Sequence, residues 1–401
     1  MSGGREGDAG GTGAGSELAP TRSSSDRRVR AATFAVGAVV LMWASSSPLE
    51  AFGGDVGTGA IRASDSETVV APYFSDPARV VGARSCSECH EKEVETWKDT
   101  DHYTGAMSLP RSPEAKRIAK ALGIRRIKAA EACISCHYTV EQQAGPRPKA
   151  TQGVSCESCH GAAREWIEVH DKYGEPDATP ETETPEHRAE RLAACDRAGM
   201  NRAERLYGLA ARCFACHTTP SEEIVEDGGH PVGGDFELMS WSQGDMRHNY
   251  WRGPAGTNEE SSAERKRLMY LLGQTLELES ALRVLARANA GSSYAERVTG
   301  RVRAALERLA AIDALASLPE VRDALRAAEG AMRVANQREA VLDAAAEVES
   351  SARTIAENYT GRELAALDAR VEALQRSAER RDSGKSGSPA VESGPPADLG
   401  G

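Results

Sequence analysis

The chain has 401 residues, enough for two domains and a sizeable core. Its 60 acidic residues outnumber 49 basic ones, and the formal net charge of −11 argues against nucleic acid as a partner. Only 5% of the residues are aromatic, while there are nine cysteines whose spacing carries most of the information.

Residues 1–26 are Gly/Ser-rich and hold too little apolar surface to fold. Arg27-Arg28-Val29-Arg30 then precedes the apolar run AATFAVGAVVLMWA (31–44), and Leu49-Glu50-Ala51 offers a small-residue exit. A positive flank, a short apolar stretch and such an exit describe a secretory signal within residues 1–51, too short to span a bilayer comfortably. A buried helix of the mature domain and an uncleaved membrane anchor are competing readings, and membrane attachment follows only from the anchor. The expectation is an exported, periplasmic protein. Residues 52–81 read as a linker that ends in a short apolar stretch at Val80-Val81.

The next region, 82–256, is rich in Gly, Pro and turn residues, with only short helical pieces expected, such as 113–129 and 187–212. So little Leu, Ile, Val and Phe does not build a core by itself. Eight of the nine cysteines fall here in four repeats: Cys86-Ser-Glu-Cys89-His90, Cys133-Ile-Ser-Cys136-His137, Cys156-Glu-Ser-Cys159-His160 and Cys213-Phe-Ala-Cys216-His217. A redox dithiol needs only the cysteine pair and a βαβ setting, which is lacking. Paired knuckles could make two zinc sites of four thiolates each. Neither explains a histidine directly after the second cysteine four times over. Covalent haem attachment does: two thiols add to the two vinyl groups of the porphyrin, and the adjacent histidine becomes the proximal iron ligand. Four haem c groups would also supply the missing core. The motifs are separated by 42, 18 and 52 residues, so the haems would lie close enough to exchange electrons.

Five histidines lie outside the motifs. His102 and His170 follow the motif histidines His90 and His160 by 12 and 10 residues, loops too short to wrap round their own haem, so each is expected to reach a neighbouring one. His230 and His248 lie in the stretch after the fourth motif and are the further distal candidates. His187, in ETETPEHRAE, reads as solvated, and Met107, Met239 and Met246 are alternative ligands more at home in packing. Cys195 reads as a buried free thiol in a helix.

From about residue 257 the character changes. Ser261-Ser-Ala-Glu264 has the spacing of a capping box. Leu268, Leu271, Thr275, Leu278, Leu282 and Leu285 then predict a helix with one apolar stripe. A second helix carries Val298, Val302, Leu306, Leu309 and Ile312, Ser317-Leu-Pro-Glu320 signals another start, and Leu364, Leu367, Val371 and Leu374 repeat the rhythm. Residues 257–380 therefore predict four or five amphipathic helices, packed as a bundle or as coiled-coil pairs. Residues 381–401 are Ser/Gly/Pro-rich and are expected to form a disordered tail. The expected fold class is mainly α: a multihaem cytochrome c domain with little regular structure around stacked haems, then an α-helical region.

The segments CSECHEKEVETWKDTDHYTGAM, CISCH, GVSCESCHGAAREWIEVH and RCFACH resemble the haem segments of the tetrahaem cytochrome c-554 family. The resemblance covers roughly 84–220, and its specific parts are the W-K-x-(S/T)-x-H element after the first motif and GVxCESCHG around the third. It implies a periplasmic carrier that, in ammonia oxidisers, takes electrons from hydroxylamine oxidoreductase. It implies that His102 and His170 are distal ligands to haems other than their own, and that a downstream histidine, His248 before His230, caps another. It also implies that the iron on His137 can be five-coordinate. Two downstream candidates, the acidic balance and the long helical C-terminus depart from the pattern, so hydroxylamine oxidation does not carry over.

The reading is a periplasmic tetrahaem c-type cytochrome that passes electrons between redox partner proteins through mostly bis-histidine haems. The alternative is an oxidoreductase acting on nitric oxide, nitrite or hydroxylamine at a five-coordinate haem over His137. The C-terminal helices would serve an oligomer or a larger redox complex.

Overall fold

A computed structural model of the chain describes residues 76–233, 236–251 and 256–385. The expected signal, most of the linker and residues 386–401 of the expected tail lie outside the described residues, whereas 381–385 of that tail are helical. None of the helices among the described residues is long and apolar enough to cross a membrane.

The motif region is built from short helices joined by turns. The first motif opens on α1 (Ala83–Cys86), followed by α2 (Glu91–Lys98), α3 (Asp101–Ser108) and α4 (Pro113–Ala121). The second motif closes α5 (Glu131–His137). A two-stranded antiparallel sheet comes next, β1 (Thr139–Glu141) against β2 (Lys149–Gln152), in which Val140 faces Ala150. The third motif is itself α6 (Cys156–His160). After α7 (Pro185–Arg197) the fourth motif ends α8 (Leu206–His217), and α9 (Glu222–Glu226) and α10 (Leu238–Ser242) lead to the C-terminal helices.

Two helices expected from the sequence are shorter than their apolar pattern suggested, and glycine is the reason. The helix expected over 113–129 stops at Ala121, where Gly123 takes φ +66° and the N–H of Ile124 reaches back to Ala119 O at 2.7 Å. The helix expected over 187–212 is two, because Gly199 takes φ +90° and Met200 N bonds Cys195 O at 2.9 Å. Both are the left-handed C-terminal turn that a residue without Cβ adopts at low cost.

The C-terminal region is a helical bundle. Its members are α11 (Ala263–Leu285), α12 (Ser293–Ala316), α13 (Pro319–Met332), α14 (Arg338–Asn358) and α15 (Asp368–Lys385). The N-cap of α11 is Ser262, which accepts from Arg265 N at 3.3 Å; the Ser261 N–H instead goes to Gln243 Oε1 at 2.7 Å. The start is thus one residue later than the box spacing implied. Ser317 does not begin α13 but ends α12 in the left-handed conformation at φ +52°, and Pro319 starts α13, where its missing N–H costs nothing. Leu364 and Leu367 precede α15, in and beside a 3-10 turn, and both are fully buried.

The expected single stripe on α11 is corrected most. Every residue from Leu268 to Leu285 is buried, because α12, α13, α14 and α15 surround the helix together with α8 and α10 of the motif region. The polar residues on its other faces survive burial by pairing. Glu277 takes both Nε and Nη2 of Arg301 at 2.8–3.0 Å, Gln274 accepts from Arg308 at 2.6 Å, and Glu279 pairs with Arg283 at 2.9 Å. Burial still pushes the Glu279 carboxyl up to about 7. One apolar core runs from this bundle into α8 through Leu206, Ala210 and Phe214.

Candidate haem-binding cleft

All eight motif cysteines and eight of the nine histidines line one cleft of about 2420 Å3 in the motif region. The cleft explains how a segment poor in large aliphatic residues encloses so much space: the scaffold is made of polar bolts and close backbone contacts.

Glu157, inside the third motif, is the main bolt. Its carboxylate is buried and accepts from Val81 N at 3.0 Å, Gly82 N at 2.8 Å and Ala163 N at 2.8 Å. The chain entering the first motif is thereby fastened to the third. A second bolt explains the W-K-x-T-x-H element. Trp97 Nε1 donates to Val154 O at 2.8 Å, and at Gly153 a side-chain carbon would stand 1.9 Å from His102 O. Only glycine lets α3 lie against the strand that leads into the third motif. Gly233 does the same for the fourth motif, since a Cβ there would be 1.8 Å from His217 O. From the bundle, Tyr294 Oη donates to Thr219 O at 2.7 Å and Arg301 Nη1 to Thr218 O at 3.0 Å, which holds the turn behind His217.

The fourth-motif helix has two faces. Phe214 and Ala215, the residues between its cysteines, are 2% and 3% exposed and Phe214 belongs to the bundle core, while Cys213 and Cys216 line the cleft.

The histidines meet in four pairs, each joining one motif histidine to one from elsewhere. Ring centroids are 6.4 Å apart for His90 and His170, 6.2 Å for His102 and His217, 6.2 Å for His137 and His230, and 6.3 Å for His160 and His248. A metal held at ~2 Å by one nitrogen of each ring, with each ring centre roughly 1 Å behind its nitrogen, sets the centroids ~6 Å apart. The pairs fit a metal between them. His102 lies opposite the fourth-motif histidine and His170 opposite the first, so neither faces the histidine of the motif that precedes it.

The ring nitrogens are set for the same task. Nδ1 of His160, His170, His230 and His248 lies 3.0, 2.7, 2.9 and 2.6 Å from the carbonyls of Asn201, Ile167, Pro231 and Met246. An Nδ1–H pointed at a carbonyl leaves Nε2 as the free lone pair. His102 Nδ1 is buried without a hydrogen-bond partner, the kind of orphan that a bound group resolves. Burial pushes the imidazoles of His137, His160 and His217 down to about 4 and lowers His102 as well. These rings are neutral near pH 7, the form a metal takes.

The thiols converge in pairs: Cys86 touches Cys156, and Cys136 touches Cys216. The first motif thus sits beside the third and the second beside the fourth. Among the described residues no three His, Cys, Asp or Glu side chains gather into a metal-ion site, so the knuckle reading has no cluster to rest on.

Of the remaining candidates, Met246 and Cys195 also line the cleft. His187 is half-buried rather than solvated, because its Nδ1 lies 2.8 Å from the buried carboxylate of Glu183. Arg191 grips the same carboxylate at 2.5 Å and donates to His170 O at 2.6 Å, a positioning contact with no signal in spacing. Met239 is buried in the bundle core and Met107 is 57% exposed; Met246 lines the cleft beside His248. Cys195 is a fully buried free thiol on α7, with its pKa raised by burial. The sequence reasoning missed Glu157 and Gly153 as structural bolts, although both stand inside the conspicuous GVSCESCHG.

Paired thiols with an adjacent imidazole, repeated around one cleft, define a c-type cytochrome, the class that carries covalent haem c. Residues 85–161 match the family described as cytochrome c554 and c-prime. A curated relative, cytochrome c-554 of Nitrosomonas europaea, is 31% identical over 147 residues, 34% of this chain and 56% of that protein. The chain spans about half the length of that relative. No solved structure matches the chain. Through this segment the chain is similar to the cytochrome c554 family.

Proposed function

We propose that the chain binds four covalent haems, each iron held between two imidazoles, and serves as a periplasmic electron carrier between redox partner proteins. The observation that carries this reading is the set of four histidine pairs at 6.2–6.4 Å around one cleft. The attachment residues are Cys86 and Cys89, Cys133 and Cys136, Cys156 and Cys159, and Cys213 and Cys216. The axial pairs are His90 with His170, His137 with His230, His160 with His248, and His217 with His102.

Bound haem supplies the one-electron chemistry. The chain's residues fix the order of the centres. Contact between Cys86 and Cys156, and between Cys136 and Cys216, supports two adjacent pairs. His102 belongs to the segment of the first motif and faces the fourth, which ties one pair to the other. His230 stands opposite His137 with ring centroids 6.2 Å apart, which supports an imidazole at the position that the alternative reading needs open. That weighs against an oxidoreductase acting there on a small nitrogen compound. The acidic balance of the chain suits partners with basic docking faces.

The mass of the exported protein tests the count, and carbon monoxide tests the ligation. Four added haems, with no carbon monoxide bound on mixing with the reduced protein, are expected. Fewer haems, or immediate binding at one iron, would overturn the reading.

A further inference from the structure

Three of the four distal histidines are built firmly into the fold. His102 lies within α3 and its backbone rests on Gly153. The His170 carbonyl is held by Arg191. The turn of His248 is stitched to the start of the bundle, with Asn249 N bonding Asn258 Oδ1 at 2.8 Å and Asn258 Nδ2 bonding Arg247 O at 2.8 Å.

His230 differs. It follows two glycines on a turn after the five-residue α9, with Gly229 at φ +69°. The turn's own backbone closes on α9 through His230 N to Ile224 O at 3.1 Å and Gly229 N to Val225 O at 3.0 Å. Beyond His230, Gly233 N bonds Thr219 Oγ1 at 3.0 Å, and the residues before His230 are linked to α4. Arg117 donates to Gly229 O at 3.1 Å and to Gly228 O at 3.5 Å, while its other contacts go to Glu114 at 2.6 and 3.1 Å. Leu122 packs so close to Gly228 that a Cβ there would stand 3.0 Å from its Cδ1. Glu114 fixes the fork of Arg117, and the fork holds the two carbonyls that precede the ligand.

We infer that Arg117 is the positioning residue that keeps His230 on the iron of the second motif. This rests on the six-coordinate reading above. Arg117 is 54% exposed in its side chain, so its grip is modest. Its effect belongs to the equilibrium between the seated and the lifted loop. A lifted loop exposes the iron on His137 to an added ligand; a seated loop excludes it.

The test uses the full-length haem-loaded protein, reduced and mixed with carbon monoxide. Arg117→Gln is expected to bind carbon monoxide at one iron about tenfold faster than the unaltered protein, the size of one lost charge-assisted contact. His230→Ala is expected to bind at once, and added imidazole to restore its low-spin spectrum. The other three low-spin signals stay unchanged in Arg117→Gln. Equal binding rates in Arg117→Gln and the unaltered protein, with His230→Ala fast, would overturn the latch and leave the ligation reading intact. Movement of all four low-spin signals together would also overturn it, as general loosening. A high-spin iron in the unaltered protein would instead remove the six-coordinate reading itself.

Discussion

At the scale of residues, the cleft is governed by a few side chains whose roles differ in how legible they were. The cysteines and the histidines beside them announce themselves by spacing, because thioether chemistry fixes them along the chain. That His102 and His170 stand opposite the histidine of another motif was legible because a short loop limits reach. Glu157, Gly153 and Arg117 were not, since nothing in a linear pattern tells which backbone amide or carbonyl will arrive beside them. The pairing leads to a clear expectation. His102→Ala should alter the low-spin signal of the haem on Cys213 and Cys216, leaving that on Cys86 and Cys89 in place; electron paramagnetic resonance of single-motif variants separates the two. Glu183 gives the pH dependence. The Arg191 guanidinium, with His187 beside it, holds its carboxyl down at about 2. A depressed pKa stabilises the fold above the ordinary carboxylate range, and that contribution is lost as pH falls from about 4.5 towards 2. The Tm of the unaltered protein should therefore fall on acidification more steeply than that of Glu183→Gln. Parallel curves would contradict this role.

At the scale of elements, the helices of the bundle were legible and their surroundings were not. Leucine spacing finds α11, but the sequence could not show that its polar faces are buried too. Their partners, Arg301, Arg308 and Glu349, lie on other helices. Helix ends depended on Gly123 and Gly199, whose left-handed turns cut two expected helices short. The fourth-motif helix α8 shows what the bundle does for the cleft: Phe214 anchors it in the bundle core while its cysteines line the cleft. Phe214→Ala should cost about 3–5 kcal/mol of stability, as large-to-small core changes do. It should also lower haem occupancy at the fourth motif before the others. A chain ending after Gly256 should lose that haem for the same reason. Mass spectrometry of haem peptides measures both, and full loading of the fourth motif in the shortened chain would contradict the dependence.

At the scale of the whole molecule, the acidic balance and the histidine-lined cleft act together. A chain with a net charge of −11 approaches basic partners faster at low ionic strength, and the gain falls as salt screens it. Electron exchange with a small basic redox protein should slow as salt is raised, and a rate indifferent to salt would count against electrostatic docking. The central claim is that four imidazole pairs close four irons. Electron paramagnetic resonance of the oxidised full-length protein tests it most directly. Low-spin ferric signals accounting for four haems, with no high-spin component, are predicted; a high-spin signal amounting to one haem would contradict the account.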